Sequence, residues 1–588
     1  MLNLALAQAP VPQSEPKVLR YTFRIAETGF DPAQINDTYS RIITSEIFEG
    51  LLAYDHLARP IKLKPLTAQA LPEVSSDFRT FTFKIKPGIF FADDPAFKGQ
   101  KRELTASDYA YSLKRFADPG HKSPAWGEIE QSGIIGLSAL REQAQKQKKG
   151  FDYDREIEGL RVLDRYTLQI KLDAPRPRFA AVMAIGDLYG AVAREVVEYY
   201  GDKIMQHPVG TGPFKLAAWR RSSLITLERN PTYRERYYDA EPNPDDAEGQ
   251  ALLARFKGRR LPMVDRVEVA VIEEEQPRWL AFLGGQHDVI ERVAQEFINI
   301  AYPKGHVAPN LARKGIAAQR IIVPDQTYEF WNMDNATVGG YTPEKVALRR
   351  ALSLAVNVER EIQLVRRGQA IRAQAPITPH TSGYDASFKS EMSEYNPIKA
   401  KALLDLYGFV DRDGDGWRDM PDGSPLVIER ATTPDSTQRA LEEILTKDYT
   451  AIGIKMVLKT AKWPENLKAA RAGKLMSWSL AALGDKADGI DSLARFHSGQ
   501  VGEQNMARFI NADFDRIYAE LLGLPDGPQR EALFQEAKRI AVAYMPYKMH
   551  VHRMHTDMYY PWVIGYRRPV FWGNWWEYVD IDNTLKRP

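Results

Sequence analysis

A glycine- and proline-rich segment constrains the fold more than any other part of the chain. Residues 207–219 read His207-Pro-Val-Gly-Thr-Gly-Pro-Phe-Lys-Leu-Ala-Ala-Trp219. Glycine adopts backbone angles that are closed to other residues, whereas proline fixes φ and removes an N–H donor. This composition predicts a rigid turn that leads into a strand. A second apolar strand follows at hairpin distance and ends at Asn230-Pro231.

The length of the chain predicts more than one hydrophobic core. Its 588 residues exceed what one core usually holds, so two or three globular units are expected. A hydrophobic share of 44% and a charged share of 27% are typical of soluble globular proteins. The 79 basic and 77 acidic residues leave a formal charge of +2, which does not indicate a nucleic-acid partner. No apolar run approaches the ~18 residues that span a bilayer.

Cysteine is absent from the sequence, and this absence excludes several kinds of chemistry. Disulfides, cysteine-ligated zinc, iron–sulfur clusters and thiol nucleophiles all require it. A lipid-anchor cysteine is also missing. The first nine residues resemble the end of a secretory signal with an Ala7-Gln-Ala9 cleavage pattern, although a positively charged start is lacking. Residues 1–16 are therefore predicted to be a leader remnant or a disordered leader.

The hairpin segment resembles a sequence block of the family 5 extracellular solute-binding proteins. These proteins are the oligopeptide- and dipeptide-binding components of bacterial ABC importers. The block reads Gly210-Thr-Gly-Pro-Phe214, then Trp219, then Arg229-Asn-Pro-Thr-Tyr233. Further blocks similar to the family recur in the family's order from about residue 18 to residue 580. They include Phe48-Glu-Gly-Leu51, Leu104-Thr-Ala-Ser-Asp108, a helical pattern at 343–362 and Val563-Ile-Gly-Tyr566.

The resemblance implies an α/β fold of the two-lobed periplasmic-binding-protein kind (type II, cluster C). Such a fold closes like a clam-shell and carries an extra domain in its first lobe. The first lobe is predicted to comprise residues 17–57, 177–323 and 546–588. The extra domain is predicted at 58–176 and the second lobe at 324–545. Hinge segments are expected near residues 320–326 and 545–550.

The family also implies a function without catalysis. We expect a monomeric, exported, periplasmic protein that binds a peptide or peptide-like solute between its lobes and delivers it to the membrane permease subunits. The N–H and C=O groups of an extended peptide can form hydrogen bonds with strand-like backbone groups of the protein, while the peptide side chains occupy hydrated pockets. The alternative within the family is a non-peptide solute, such as a modified peptide, an antibiotic or an apolar small molecule. A secreted hydrolase or a chaperone is a more distant alternative, and Gly-x-Ser-x-Gly and His-Glu-x-x-His motifs are absent.

The family's ligand-contacting stretches map by position onto residues 27–30 and 477–491. Peptide-binding members carry an Asp three residues after the Trp, where it pairs with the α-amino group of the ligand. Here Ala481 occupies that place. Either a bulged loop lets Asp485 or Asp488 restore the anchor, or the ligand lacks a conventional free N-terminus. The predicted ligand-binding residues are Glu27, Thr28, Gly29, Phe30, Trp478, Ser479, Leu480, Ala481, Asp485 and Asp488.

One loop has the ligand spacing of a calcium site, and no other cofactor is predicted. Carboxylates occupy the first, third, fifth, ninth and twelfth places of the loop, with Gly416 at the sixth. The twelfth place holds Asp instead of Glu, and loops rich in Asp and Gly also occur without a metal. The candidate calcium ligands are Asp411, Asp413, Asp415, Asp419 and Asp422.

Two further clusters have both a structural and a functional interpretation. His550, His552 and His555 could bind a metal, but no carboxylate stands at a defined spacing from them, so a polar strand near the hinge is the favoured interpretation. The aromatic segment 571–578 could stack on a ligand, although packing within the protein is favoured.

Overall fold

The computed structural model describes residues 15–147, 150–484, 486–571 and 574–585. Strands and helices alternate along most of this length, which confirms the predicted α/β class. The predicted leader up to residue 14 and the candidate ligand Asp485 lie outside the described residues. Within the described part of the chain, no helix combines the length and the hydropathy needed to cross a membrane.

The first lobe is built on a four-stranded sheet that contains the predicted hairpin. Its strands lie in the order Val18–Phe23, Arg266–Val271, Leu224–Arg229 and Phe214–Arg220. The first pair is parallel and the other two are antiparallel. The helices of this lobe are Thr38–Ile47, Phe179–Val182, Gly186–Tyr189, Arg194–Tyr200, Ala247–Phe256, Glu275–Leu283, Gln295–Ala301 and Pro309–Ala312.

The glycines of the turn before this hairpin are required by a close backbone approach. A Cβ atom on Gly210 would lie 2.0 Å from the carbonyl oxygen of Ile47, and one on Gly212 would lie 2.6 Å from it. The N–H of Gly212 donates a hydrogen bond of 2.8 Å to the same oxygen. The turn therefore docks on the end of the helix Thr38–Ile47, which no larger side chain would permit.

The predicted extra domain has a separate hydrophobic core. An antiparallel sheet of Glu73–Val74, Thr80–Lys84, Thr167–Lys171 and Leu160–Asp164 packs against helices Ala106–Ala117, Trp126–Gln131 and Leu137–Gln147. A short ribbon, Leu52–Tyr54 with Leu63–Pro65, leads into it. The same hydrophobic cluster includes buried residues from Ile35 to Val209, so its packing is continuous with neighbouring parts of the first lobe.

The second lobe has a five-stranded mixed sheet. Its strand order is Lys455–Thr460, Val427–Thr432, Ser477–Leu483, Asp325–Trp331 and Tyr547–Met549, and the first two contacts are parallel. Every residue of Asp325–Trp331 is buried. The helices are Pro343–Ala355, Val358–Arg360, Pro397–Leu406, Ser436–Ala451, Trp463–Arg471, Ile490–Leu493, Ala512–Gly523 and Pro528–Tyr544, with a π-helical turn at Glu361–Val365.

The helix predicted at 343–362 is interrupted in the structure. It ends at Ala355, and Asn357 then caps a new turn by accepting a hydrogen bond of 3.0 Å from the N–H of Arg360. The N–H of Asn357 donates to Asp448 at 2.8 Å. A tertiary contact thus breaks a helix that apolar spacing alone predicts as continuous. The π-helical turn that follows begins at Glu361, which is buried and contacts His550.

The chain passes between the two lobes twice, through neighbouring strands. Ala317–Ile322 leads through Val323 and Pro324 into Asp325–Trp331, while Tyr547–Met549 returns through His550 into Val551–Tyr559. Val551–Tyr559 pairs with Ala317–Ile322 and Val289–Ile290 on one side of the crossing and with Ala370–Arg372 on the other. The strands Val563–Ile564 and Asp580–Ile581 form a closing ribbon in the first lobe.

Candidate ligand-binding site

Several cavities lie between the two lobes. The largest has a volume of about 870 Å³ and is bounded by residues around Phe179 of the first lobe and Asp488 of the second. Another of about 640 Å³ lies between Arg292 and Arg367. A third of about 60 Å³ adjoins Trp575 and Gly484. Because residues from both lobes line each cavity, a solute bound there would contact both lobes at once.

Ion pairs and backbone hydrogen bonds stiffen the crossing itself. Asp325 is fully buried and accepts a 2.8 Å hydrogen bond from the N–H of Arg553, whose guanidinium also contacts it. The N–H of Val323 donates to the carbonyl of Arg553 at 2.9 Å. The N–H of His550 donates to the carbonyl of Thr327 at 2.8 Å. The two connecting segments are therefore joined to each other as a single ribbon.

Four predicted ligand-contacting residues lie on the strand Ser477–Leu483. Trp478 is buried and packs against Trp463, with 6.2 Å between the ring centroids. The hydroxyl of Ser479 accepts a hydrogen bond from the guanidinium of Arg430. Leu480 is half-buried and Ala481 is exposed. All four line a cavity of about 320 Å³ in the second lobe.

This strand has a partner along its whole length on one side only. Asp325–Trp331 pairs with every residue from Ser477 to Leu483. On the other side, Val427–Thr432 pairs with Ser477 and Trp478 alone. Within the described ranges, the edge from Ser479 onward has no strand beside it. This open edge borders the 320 Å³ cavity.

The predicted stretch 27–30 is held by contacts within the first lobe. The indole N–H of Trp219 donates to Glu27 Oε1 at 2.5 Å, and the N–H of Ser222 donates to the same oxygen at 3.0 Å. Glu27 Oε2 is buried without a hydrogen-bond partner among the described residues. Phe30 is fully buried and packs on Trp219, with 4.7 Å between the centroids.

The middle of this stretch is equally constrained. The hydroxyl of Thr28 donates to Asp37 at 2.6 Å. Gly29 has a φ of 156°, and a Cβ atom there would lie 2.4 Å from Met205 Cε. The structure therefore places residues 27–30 in the first lobe and residues 478–481 in the second lobe. The two predicted groups do not contact each other in the described residues.

Asp488 is engaged in a network of hydrogen bonds and ion pairs. Its carboxylate accepts two hydrogen bonds from Arg530, at 2.8 and 3.0 Å, and one from Ser382 at 3.1 Å. Arg178, from the opposite lobe, lies 3.0 Å away through Nε. A ligand amine would have to compete with two arginines for this carboxylate.

A buried triad that the sequence analysis did not identify borders the 320 Å³ cavity. Glu361 Oε2 lies 3.0 Å from His550 Nδ1, and Glu361 Oε1 lies 3.1 Å from Arg366. Burial alone would raise the pKa of Glu361, but the hydrogen bond from His550 and the charge of Arg366 lower the pKa to about 2. Glu361 therefore carries a negative charge at neutral pH. His550 Nε2 is buried with no partner among the described residues.

The three histidines near the hinge do not converge on one point. His550 contacts Glu361, whereas His552 Nδ1 lies 2.5 Å from the carbonyl oxygen of Asp325. His555 instead borders two of the cavities between the lobes. The favoured interpretation of a polar strand agrees with this arrangement.

The aromatic segment near the C-terminus is mostly packed inside the first lobe. Trp575 and Trp576 are buried and meet Tyr21 at 5.8 and 5.6 Å between centroids. Phe571 and Trp575 reach the 60 Å³ cavity, while residues 572 and 573 lie outside the described ranges.

The acidic loop brings together three of its five candidate calcium ligands. Carboxylate oxygens of Asp411, Asp413 and Asp419 all lie within 4.8 Å of one another. Asp415 instead accepts a hydrogen bond of 2.8 Å from the N–H of Trp417, and Asp422 binds the N–H and hydroxyl of Ser424 at 2.9 and 2.7 Å. Calcium binding by this loop stays a prediction.

Two α/β lobes, joined by two strand crossings and separated by cavities, are the architecture of hinged proteins that close around a ligand. The chain belongs to the bacterial extracellular solute-binding proteins of family 5, whose sequence model (family 5 Middle) matches residues 62–504. This membership confirms the family and the two-lobed fold that the sequence blocks predicted.

Characterised relatives are similar along almost their whole length. The chain is 25% identical to di/tripeptide-binding protein 2 of Pseudomonas aeruginosa, with 96% of this chain and 95% of the relative covered. It is 24% identical to heme-binding protein A of Haemophilus influenzae, with 99% and 95% covered. Among solved structures, the unliganded open form of the periplasmic murein tripeptide-binding protein MppA superposes with a TM-score of 0.73 at 19% identity, covering 97% of this chain and 98% of that one.

Proposed function

We propose that this protein binds a peptide or peptide-like solute between its lobes in the periplasm and delivers it, as a monomer, to the permease of an ABC importer. The open edge of the strand Ser477–Leu483 carries the proposal. Its unpaired side borders a cavity and offers backbone N–H and C=O groups to an extended chain. An extended peptide could add there as a further strand. The names of relatives such as di/tripeptide-binding protein 2 support the same class of ligand.

The proposed cycle requires no covalent chemistry from the protein. Binding of a solute to both lobes would favour the closed form, because only that form makes both sets of contacts. The permease would then distinguish the closed, loaded protein from the open one. The solute would leave chemically unchanged.

A thermal-shift screen with a tripeptide library tests this function. A ligand that binds only the folded protein stabilises it by about 2.7 kcal/mol at one hundred times its Kd, so the melting temperature rises. Native mass spectrometry of the same samples should show an unmodified peptide bound in a 1:1 complex. The control is the same set of amino acids supplied unlinked. A library that leaves both the melting temperature and the mass unchanged would contradict the proposal.

A second candidate ligand class follows from Ala481. The exposed Ala481 cannot pair with an α-amino group, and the carboxylate of Asp488, further along the chain, is engaged by Arg530. A solute without a free amine would therefore lose no ion pair at this position and would bind no more weakly than one with a free amine. Relatives named as heme-binding and deoxycholate-binding proteins belong with this alternative. Equal stabilisation by a peptide and its N-acetylated form would favour it.

A further inference from the structure

The 640 Å³ cavity between the lobes is lined by an excess of cationic side chains. Two acidic residues, Glu275 and Glu296, also line it. Its arginines are Arg24 and Arg292 from the first lobe, Arg366 and Arg367 from the second, and Arg553 at the crossing.

Three of these arginines are neutralised by acidic partners. Arg24 lies 2.7 Å from Glu275. Arg366 pairs with Glu361, and Arg553 pairs with Asp325. These ion pairs neutralise three of the five positive charges, and Glu275 is already paired with Arg24.

Arg292 and Arg367 are different. Neither guanidinium makes an ion pair or a hydrogen bond with any residue that the structure describes, and the one hydrogen bond of Arg292 comes from its backbone N–H, to Asp557 at 2.8 Å. Arg292 is half-buried and Arg367 is exposed. One belongs to each lobe, and both line the same cavity.

The backbone of both residues is held in an unfavourable conformation. The φ angles of Arg292 and Arg367 are +56° and +52°, in the left-handed region that side chains other than Gly, Asn and Asp rarely adopt. Strained backbone conformations cluster at functional sites, and left-handed residues also end helices and turns. Among the residues that the structure describes, Arg292 and Arg367 are two of ten non-glycine residues with a positive φ, and both line this cavity.

The pKa of His555 is affected by the positive charges around this cavity. It lies at the junction of the 640 Å³ and 60 Å³ cavities. Burial lowers the pKa of His555 well below its ordinary value, and the charges of Arg292, Arg568, Arg553 and Arg24 lower it further. His555 is thus neutral at pH 7 and adds no charge, while its surroundings are cationic.

We propose that Arg292 and Arg367 are specificity-determining residues that select a net-anionic solute, and that they bind its carboxylates from opposite lobes. This inference rests on the proposed function and narrows its substrate class to acidic peptides or peptide-like polycarboxylates. The guanidinium group binds carboxylate in a bidentate, charge-assisted geometry, so each arginine can hold one acidic group.

The position of the two residues also couples ligand charge to closure. In the unliganded protein, the two positive charges line one cavity from opposite lobes, and their repulsion would oppose the approach of the lobes. An anion between them removes this repulsion and gains contacts on both sides. A neutral peptide of the same size neither removes the repulsion nor gains the ionic contacts. Both differences therefore favour an acidic peptide over a neutral one.

A competition experiment measures the charge preference directly. The purified protein is incubated with an equimolar random tripeptide mixture, and retained peptides are identified by mass spectrometry. We expect enrichment of peptides with Asp or Glu. Retention of neutral or basic peptides in place of acidic ones would overturn the inference and leave the proposed function intact. Retention of no peptide would refute both.

Variants then assign the preference to the two arginines. The most enriched acidic peptide is titrated calorimetrically into Arg292→Gln, Arg367→Gln and the control Arg313→Gln, which changes an exposed arginine elsewhere on the first lobe. Loss of one charge-assisted contact should weaken binding at least tenfold in the first two variants, on the order of 1.4 kcal/mol, and leave the control unchanged. The difference should shrink at ~0.5 M salt because of screening. Equal affinity in all three variants, with melting temperatures unchanged, would overturn the assignment.

Discussion

Trp478 shows how one side chain can serve both a core and a cavity wall. Its ring lies in the second lobe with 2% of its surface exposed, within the core built on Phe330 and Tyr449. One edge also borders the 320 Å³ cavity, where Trp463 is 53% exposed. The burial of Trp478 implies that its contribution to folding exceeds its contribution to any ligand contact.

We predict that Trp478→Ala lowers the free energy of unfolding by about 3–5 kcal/mol, as expected when a buried indole is removed from a packed core. Trp463→Ala, on the same cavity wall, should cost far less because its ring is largely in solvent. Urea denaturation of the two variants measures the difference. Comparable stability losses in both would mean that Trp478 is not a core residue.

At the scale of elements, the acidic loop is shaped by hydrogen bonds between its own residues. In the loop, Asp411 accepts hydrogen bonds from the N–H groups of Gly414 and Gly416, at 2.7 and 2.9 Å. These bonds preform the turn that a calcium loop uses. Asp413 and Asp419 complete a group of three carboxylates whose mutual repulsion a cation would relieve.

We predict that millimolar calcium raises the melting temperature and that Asp413→Asn abolishes this rise. Asp422→Asn is the matched control, because Asp422 binds Ser424 outside the cluster of three. A calorimetric scan with and without calcium checks the effect. If Asp422→Asn also abolished the rise, Asp422 would take part in binding as well. An unshifted wild-type melt would remove calcium from this loop.

The interrupted helix matters for the site because it positions charged residues. The break at Asn357 and the π-helical turn at Glu361–Val365 redirect the chain, so that Glu361 reaches His550 and Arg367 reaches the cleft. Single π-helical turns are frequent at functional sites.

At the scale of the whole molecule, ion pairs also connect the lobes outside the two crossing segments. Arg178 contacts Asp488 and Asp526 of the second lobe, and Glu128 lies 3.0 Å from Lys486. All of these residues border the 870 Å³ cavity. Partly exposed pairs each contribute about 0–1 kcal/mol, which is too little to lock the lobes but enough to bias their equilibrium.

We predict that Arg178→Gln increases the radius of gyration of the unliganded protein, because the lobes then separate more often. Arg176→Gln is the control, since Arg176 pairs with Asp173 in its own segment at 3.0 Å. Small-angle scattering at low salt measures the difference between the two variants. Superimposable scattering curves would show that these ion pairs do not influence the opening of the cleft.

The sequence by itself determined the family, the two-lobed α/β class and the hairpin at 214–229. These features depend on local chemistry: Gly210 and Gly212 fit a close backbone approach, and alternating apolar residues form strands. The acidic loop was also predictable, because the spacing of its Asp residues can be read directly from the sequence. The domain limits and the ligand-contacting residues stay predictions.

Only the tertiary structure decided which distant side chains meet. Glu361 and His550 are 189 positions apart, and Arg292 and Arg367 come from different lobes, so no spacing along the chain indicates either pair. The structure also decided that Asp488 is held by Arg530 and that Asn357 ends a helix. In each case the outcome depends on burial and on charges supplied by another element, and folding alone brings these together.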